Sequence, residues 1–120
     1  MSVAVAVTDN REGAAALEAA AREAVLLALP LVVINLTGAA LDTASLGAAP
    51  RFEFVLGDDA GDRDEVEQVL QVLEDRPEVT RLVVGVRQRS PIGKVLLGSI
   101  PQRLILEATV PVLAVKAAYG

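Results

Sequence analysis

The chain of 120 residues contains no cysteine and no histidine. Without cysteine, it forms no disulfide and offers no thiolate for catalysis or metal binding. Without histidine, it lacks the side chain that serves most often as a general base and as a metal ligand. Catalysis would have to depend on carboxylates, lysine, hydroxyl groups or a cofactor. Because the sequence shows no nucleophile paired with a base, we expect a protein that is not an enzyme.

Aromatic residues and long apolar runs are also scarce. Only two phenylalanines and one tyrosine are present, although hydrophobic residues make up 52% of the chain, so the core must be aliphatic. The longest apolar run, residues 24–36, is interrupted by Pro30 and is too short to cross a bilayer. No basic residues precede the apolar residues at the N-terminus, which argues against a signal peptide. We expect one soluble, cytoplasmic domain, residues 1–120.

The charges are unevenly distributed along the chain. The net charge of −5 argues against binding to nucleic acid or to anionic membranes. Most of the acidic residues lie in residues 53–78, where their spacing does not match a calcium-binding loop, so we predict no metal site. Residues 79–106 contain no acid and five basic residues: Arg81, Arg87, Arg89, Lys94 and Arg103. This basic segment raises the question of which anion, if any, it binds.

Hydrophobic periodicity predicts strands that alternate with helices. The predicted strands are residues 2–8, 31–36, 51–57, 80–86 and 110–116. The predicted helices are residues 11–29, 64–75 and 99–108, with a further short helix at 40–46. Asp9 and Glu12 have the spacing of a capping box for the first helix, which Pro30 would end. Such alternation predicts an α/β fold, a three-layer sandwich with a five-stranded parallel sheet.

In such a sheet, ligands bind beyond the carboxyl ends of the strands, where the strand order reverses. The segments to inspect are therefore residues 8–10, residues 36–38 and the chain from Gly85 onward. A P-loop is excluded because Val95 follows Gly93-Lys94 and the first glycine of that motif is missing. The dinucleotide-binding glycine pattern is also absent after the first strand.

The long loop after the fourth strand ends in Gly98-Ser99, where a helix is predicted to begin. Unpaired N–H groups and the positive end of the helix dipole attract phosphate at such a position. Gly98 would allow a ligand to approach the backbone closely, and Ser99 could donate its hydroxyl. The alternative is an ordinary serine cap that follows a surface loop.

The spacing of this loop resembles the nucleotide loop of the universal stress protein family. In that loop a glycine, two residues, a second glycine and nine residues precede Gly-Ser/Thr; here Gly85, Gln88 and Gly98-Ser99 stand in register. Gln88 replaces the second glycine, the segment Thr8-Asp9-Asn10 differs from the family's common Asp-Gly-Ser, and the crossover at 37–50 is short. The resemblance implies an adenine nucleotide alpha hydrolase-like fold with strand order 3-2-1-4-5.

The resemblance also implies a stress-response protein that binds an adenine nucleotide, ATP or AMP, without catalysis; the sequence leaves open whether Mg²⁺ takes part. Gly98 and Ser99 would hold phosphates, Gly85 and Arg87 would border the ribose-phosphate, and Thr8 and Asp9 would line the adenosine side. Arg89 and Lys94 would add positive charge. The alternative is a protein-interaction module that binds no nucleotide and uses the basic segment to contact an acidic protein.

The last predicted strand contains Pro111, which favours an edge position in the sheet because proline donates no ladder hydrogen bond. An exposed apolar edge invites pairing with a second copy of the chain. Family members commonly form dimers through this strand, and we therefore expect a homodimer through residues 110–116. The alternative is that Tyr119 and the tail cover the edge.

Overall fold

The computed structural model describes residues 1–41, 52–56, 64–88, 95–96 and 99–117. Within them the strands are β1 (Ser2–Val7), β2 (Leu31–Asn35), β3 (Phe52–Leu56), β4 (Val79–Gln88), β5 (Val95–Leu96) and β6 (Val112–Ala117). The helices are α1 (Arg11–Leu27), α2 (Glu65–Asp75) and α3 (Ser99–Glu107). Nearly all of the short helix predicted at 40–46 lies outside the described residues.

The strands form one sheet in which β1 lies between β2 and β4. All pairs among β1, β2, β3, β4 and β6 are parallel, and these strands follow the order β3-β2-β1-β4-β6 across the sheet. The predicted α/β fold with a parallel sheet is therefore confirmed. The predicted number of five strands is wrong, because the described sheet contains a sixth, the two-residue β5, which pairs with β4 in antiparallel orientation. Two residues are too few to produce a recognisable strand pattern in the sequence.

The register shows where β5 lies. Arg87 pairs with both Leu96 of β5 and Ala117 of β6, so these strands must lie on opposite sides of β4. The partner on the side away from β6 is β1, whose pairing with β4 ends at Val83. The β5 strand therefore occupies the part of the β4 edge that β1 leaves free, close to the carboxyl end of β1.

The core has two layers of side chains, one on each face of the sheet. The side chains of Val3, Val5 and Val7 in β1 pack against the alanine-rich face of α1. The alternate residues Ala4 and Ala6 belong to the opposite cluster, which contains apolar residues of α2 and α3. Because helices cover both faces, every residue of β1 is buried, as expected for a central parallel strand.

Helix α1 begins at the predicted residue, Arg11, but its N-cap and its end differ from the prediction. Its N-cap is Asn10, whose Oδ1 accepts a hydrogen bond from the Gly13 amide at 2.8 Å, so the predicted capping role of Asp9 and Glu12 is wrong. Asparagine is as good a cap as aspartate, and the sequence pattern did not distinguish the two positions. The helix ends at Leu27, and Ala28 follows in the left-handed conformation with φ 54°.

No helix in the described ranges is long and apolar enough to cross a membrane.

Candidate functional site

A cleft of about 400 Å³ lies beyond the carboxyl ends of β1 and β4. The strand order reverses between these two strands, because β2 and β3 extend the sheet on one side and β6 on the other. The cleft is lined by the residues after β1, by the end of β4 and by the first turn of α3. Glu12 of α1 and Glu65 of α2 complete its lining. Its position is the one at which open parallel sheets bind ligands, and its volume lies within the usual range for small-molecule sites.

Five of the six predicted site residues line this one cleft: Thr8, Asp9, Gly85, Arg87 and Ser99. The sixth, Gly98, lies outside the described residues, as do Arg89 and Lys94. Residues separated by almost 80 positions in the chain are therefore brought together by the parallel pairing of β1 with β4. Their contacts with a nucleotide remain a prediction.

The N-terminus of α3 opens onto the cleft. Ser99, Ile100 and Pro101 are cleft residues and form the first turn of this nine-residue helix. The first amide groups of a helix have no partner within the helix, and its dipole makes this end positive. Pro101 has no N–H group, so the turn offers fewer donors than usual. The exposed side chain of Ser99 supplies a hydroxyl beside the remaining amides.

An ion pair between Glu12 and Arg87 forms one wall of the cleft. Arg87 donates from Nε to Glu12 Oε1 at 2.7 Å, and the Glu12 side chain is only 10% exposed whereas that of Arg87 is 61% exposed. The hydrogen bond from Arg87 lowers the pKa of Glu12 below its ordinary value. The carboxylate is therefore charged at neutral pH and engages the Nε of the guanidinium that was predicted to border a ribose-phosphate.

The described part of the cleft wall carries more negative than positive charge. Asp9, Glu12 and Glu65 contribute three carboxylates, against the single guanidinium of Arg87. Asp9 forms no hydrogen bond or ion pair that involves another described residue, which leaves its carboxylate available to a ligand.

The other two described arginines of the basic segment are paired with carboxylates, as Arg87 is. Arg81 pairs with Glu23, and Arg103 pairs with Asp64 and Glu107. Acidic residues, most of them distant in sequence, thus neutralise the described part of this segment.

Gly85 is required by packing at this cleft. A Cβ atom added to Gly85 would overlap the carbonyl oxygen of Glu12, so the first turn of α1 rests directly on β4 at this point. A Cβ on Gly13 would overlap the backbone of Thr8 in the same way. The two glycines let α1 approach the ends of β1 and β4, and this approach places Glu12 beside Arg87. The sequence showed the first glycine of the loop motif but not this packing reason for it.

Gln88, at the position of the motif's second glycine, belongs to β4 and pairs with Val95 of β5. Among the described non-glycine residues, only Ala28 has a positive φ, so Gln88 does not adopt the left-handed conformation that would favour glycine. The backbone here is extended and takes part in the sheet. The chain therefore accommodates glutamine without backbone strain.

A second cleft of about 320 Å³ adjoins the first and shares Thr8, Asp9 and Asn10 with it. Thr37, from the predicted ligand loop at 36–38, lines this second cleft. The buried Asn35 fixes the turn, because its Oδ1 accepts from the Thr37 amide at 2.9 Å and its Nδ2 donates to the Ala39 carbonyl at 2.7 Å. The end of β2 is thus a rigid border of the ligand-facing edge.

Within the described ranges, no group of three or more acidic side chains is arranged to hold a metal ion. The acidic stretch at 58–63, for which we predicted no metal site, lies outside them.

Residues 59–116 match the universal stress protein family. A universal stress protein of Mycolicibacterium smegmatis (strain ATCC 700084 / mc(2)155) is 53% identical over 53 residues, which are 44% of this chain and 40% of that protein. The matched part of the chain thus spans less than half the length of that relative.

Solved structures resemble the chain over almost its whole length. A universal stress protein from Archaeoglobus fulgidus has a TM-score of 0.68 and 25% identity over 97% of this chain and 98% of its own. A universal stress protein from the same organism in complex with dAMP has a TM-score of 0.67 and 20% identity, with coverage of 97% and 98%. A universal stress protein in complex with cAMP has a TM-score of 0.66 and 19% identity, with coverage of 98% of each chain.

Proposed function

We propose that the chain, whose residues 59–116 match the universal stress protein family, is a cytoplasmic, homodimeric stress-response protein of that family that binds an adenine nucleotide, AMP or ATP, without catalysis. The nucleotide would occupy the cleft between β1 and β4. One observation carries this proposal: Thr8, Asp9, Gly85, Arg87 and Ser99 line a single cleft at the reversal of strand order. The dAMP and cAMP bound by two proteins of the same fold support adenine as the base.

In this proposal the phosphate lies at the N-terminus of α3. The Ser99 hydroxyl and the first free amides donate to its oxygens, and the helix dipole stabilises its charge. The adenosine lies toward β1, where the free carboxylate of Asp9 accepts hydrogen bonds from hydroxyl or amino groups. Arg87 borders the phosphate side of the cleft.

Calorimetric titration of nucleotide-stripped protein with AMP and with ATP tests the proposal. The Ser99→Ala variant should bind AMP roughly tenfold more weakly, because a hydrogen bond to a charged group is lost. The Ser99→Thr variant keeps the hydroxyl and is the matched control, with affinity near that of the wild type. The same titrations with EDTA and with MgCl₂ establish whether Mg²⁺ accompanies the nucleotide. An absence of heat with millimolar nucleotide would refute the proposal.

The proposed absence of catalysis has its own test. Incubation of the protein with ATP should release no more ADP than buffer alone, because the described cleft holds no nucleophile paired with a base. ADP formation that exceeds the buffer rate and disappears in an Asp9→Asn variant would contradict this part of the proposal.

The homodimer would form through β6. Among the described strands β6 pairs only with β4, so its other edge has no described partner. Leu113 in this strand is 43% exposed, and a second copy of the chain paired with β6 would cover it.

A protein-interaction module that binds no nucleotide is the second candidate function. It is favoured by the pairing of Arg87 with Glu12 and by the extended backbone of Gln88, which departs from the glycine of the family's nucleotide loop. A partner of this module would contact a surface whose described arginines are already paired. Titrations in which neither adenosine nor any adenine nucleotide binds would support this candidate.

A further inference from the structure

We infer that Glu12 determines ligand specificity in the cleft by disfavouring adenine ligands in proportion to their phosphate charge. This inference rests on the nucleotide binding proposed above. It names the ligand class as adenosine monophosphates rather than triphosphates. The argument depends on the fixed position of Glu12, on its pairing with Arg87 and on the other carboxylates of the cleft.

The Glu12 carboxylate is held in place from two directions. Its backbone contacts Gly85 of β4 so closely that a Cβ atom would not fit between them. Its side chain is 10% exposed and accepts the 2.7 Å hydrogen bond from Arg87. A ligand in the cleft therefore meets this negative charge, which cannot turn away toward solvent as a surface glutamate would.

Arg87 can offer its Nη atoms to a ligand phosphate, but Glu12 engages its Nε and offsets part of its positive charge. Its side chain is 61% exposed and free to rotate, but rotation away from Glu12 leaves a largely buried carboxylate without its partner. A phosphate and Glu12 thus share one guanidinium, whose positive charge Glu12 partly offsets. Asp9 and Glu65 line the same cleft and add repulsion of the same sign.

The electrostatic repulsion in the cleft differs among three ligands that share the same base and the same sugar. Adenosine carries no phosphate and is not repelled, AMP carries one phosphate group and ATP carries three. Coulomb repulsion from Glu12 rises with each added charge and is strongest at low ionic strength. The wild-type protein should therefore bind AMP more tightly than ATP.

The test is a calorimetric titration of the wild type and of the Glu12→Gln variant with adenosine, AMP and ATP at low ionic strength. Glutamine has the shape of glutamate without its charge, so it no longer offsets the positive charge of Arg87. We expect the variant to gain roughly tenfold in affinity for ATP, about threefold for AMP and less than about twofold for adenosine.

The matched control is Glu23→Gln. Glu23 also lies in α1 and pairs with an arginine of β4, Arg81, at 2.9 Å, but neither residue lines the cleft. This variant removes an ion pair between the same two elements and should change the affinity for each of the three ligands by less than about twofold. It therefore separates a charge effect at the cleft from a general effect on the packing of α1.

Several outcomes would overturn the inference. Equal changes in the affinity for all three ligands with Glu12→Gln would show that its charge does not discriminate between them. Tighter binding of ATP than of AMP by the wild type would overturn it without any variant, even if Glu12→Gln failed to fold. If the wild type binds AMP and ATP with equal affinity, nucleotide binding stands but the inference fails. If none of the three ligands binds, the proposed function fails with it.

Discussion

Replacing Gly85 with alanine adds one methyl group at a close contact between α1 and β4. The new Cβ would overlap the carbonyl oxygen and the carbonyl carbon of Glu12 and would lie 3.0 Å from its Cβ. Two of these atoms belong to the backbone, so rotation of a side chain cannot relieve the overlap. The first turn of α1 must move away from β4, and the 2.7 Å bond between Glu12 and Arg87 must lengthen or break.

We expect Gly85→Ala to lower the free energy of unfolding by about 3 kcal/mol, at the upper end of the usual cost of overpacking. In a domain of this size, that loss corresponds to a decrease in melting temperature of roughly 10–15 °C. Thermal unfolding followed by circular dichroism measures both quantities.

Gly38→Ala is the control, because nothing lies within 4 Å of its Cβ and only its φ of +75° disfavours alanine. It should cost about 1 kcal/mol. A Gly85→Ala protein as stable as the Gly38→Ala protein would refute the packing explanation of Gly85.

Three further predictions concern Asn10, Glu12 and Leu113. Asn10→Ala should lower the free energy of unfolding by about 1 kcal/mol because the N-cap of α1 is lost, whereas Asn10→Asp should be nearly neutral; equal urea midpoints for both would contradict this. Arg87 lowers the pKa of Glu12 in the folded state, so the wild type should be more stable than Glu12→Gln when Glu12 is charged. This difference in the free energy of unfolding should be complete above the ordinary pKa of 4.5 and should shrink as the pH falls through the folded-state pKa. An advantage that grows on acidification would be inconsistent with this pair. Leu113→Glu should convert the dimer to a monomer in sedimentation velocity, because it places a charge on the exposed edge of β6, and an unchanged mass would exclude β6 as the interface.

Much of the fold could be predicted because each buried strand has a continuous aliphatic run and each helix a periodic one. The N-cap of α1 was predicted less accurately: Asp9 and Asn10 are both good caps, and only the structure shows that Asn10 accepts from Gly13. The end of α1 was missed because Ala28 adopts a left-handed conformation that the sequence favours only for glycine or asparagine. The β5 strand was missed because pairing with Arg87 and Gln88, not local sequence, defines it.

The part of the candidate site that could be predicted consists of residues at the ends of strands. Thr8, Asp9 and Gly85 come at the ends of strands that the sequence already indicated, and parallel pairing brings them together. Glu12 was not predicted as a site residue because its part in the cleft depends on the close approach of α1 to β4, which no local pattern encodes. The basic segment was misleading because its arginines have acidic partners in α1, at the N-cap of α2 and at the end of α3.

The most direct test of the central claim is an amide chemical-shift titration of ¹⁵N-labelled, nucleotide-stripped protein with AMP. We predict that the largest saturable shifts belong to the amides of Thr8, Asp9, Ser99 and Ile100, which line the cleft, while those of Glu23 and Arg81, at the far ends of α1 and β4, remain unchanged. Shifts confined to residues outside the cleft, or no shifts at millimolar AMP, would contradict the assignment of this cleft as a nucleotide site.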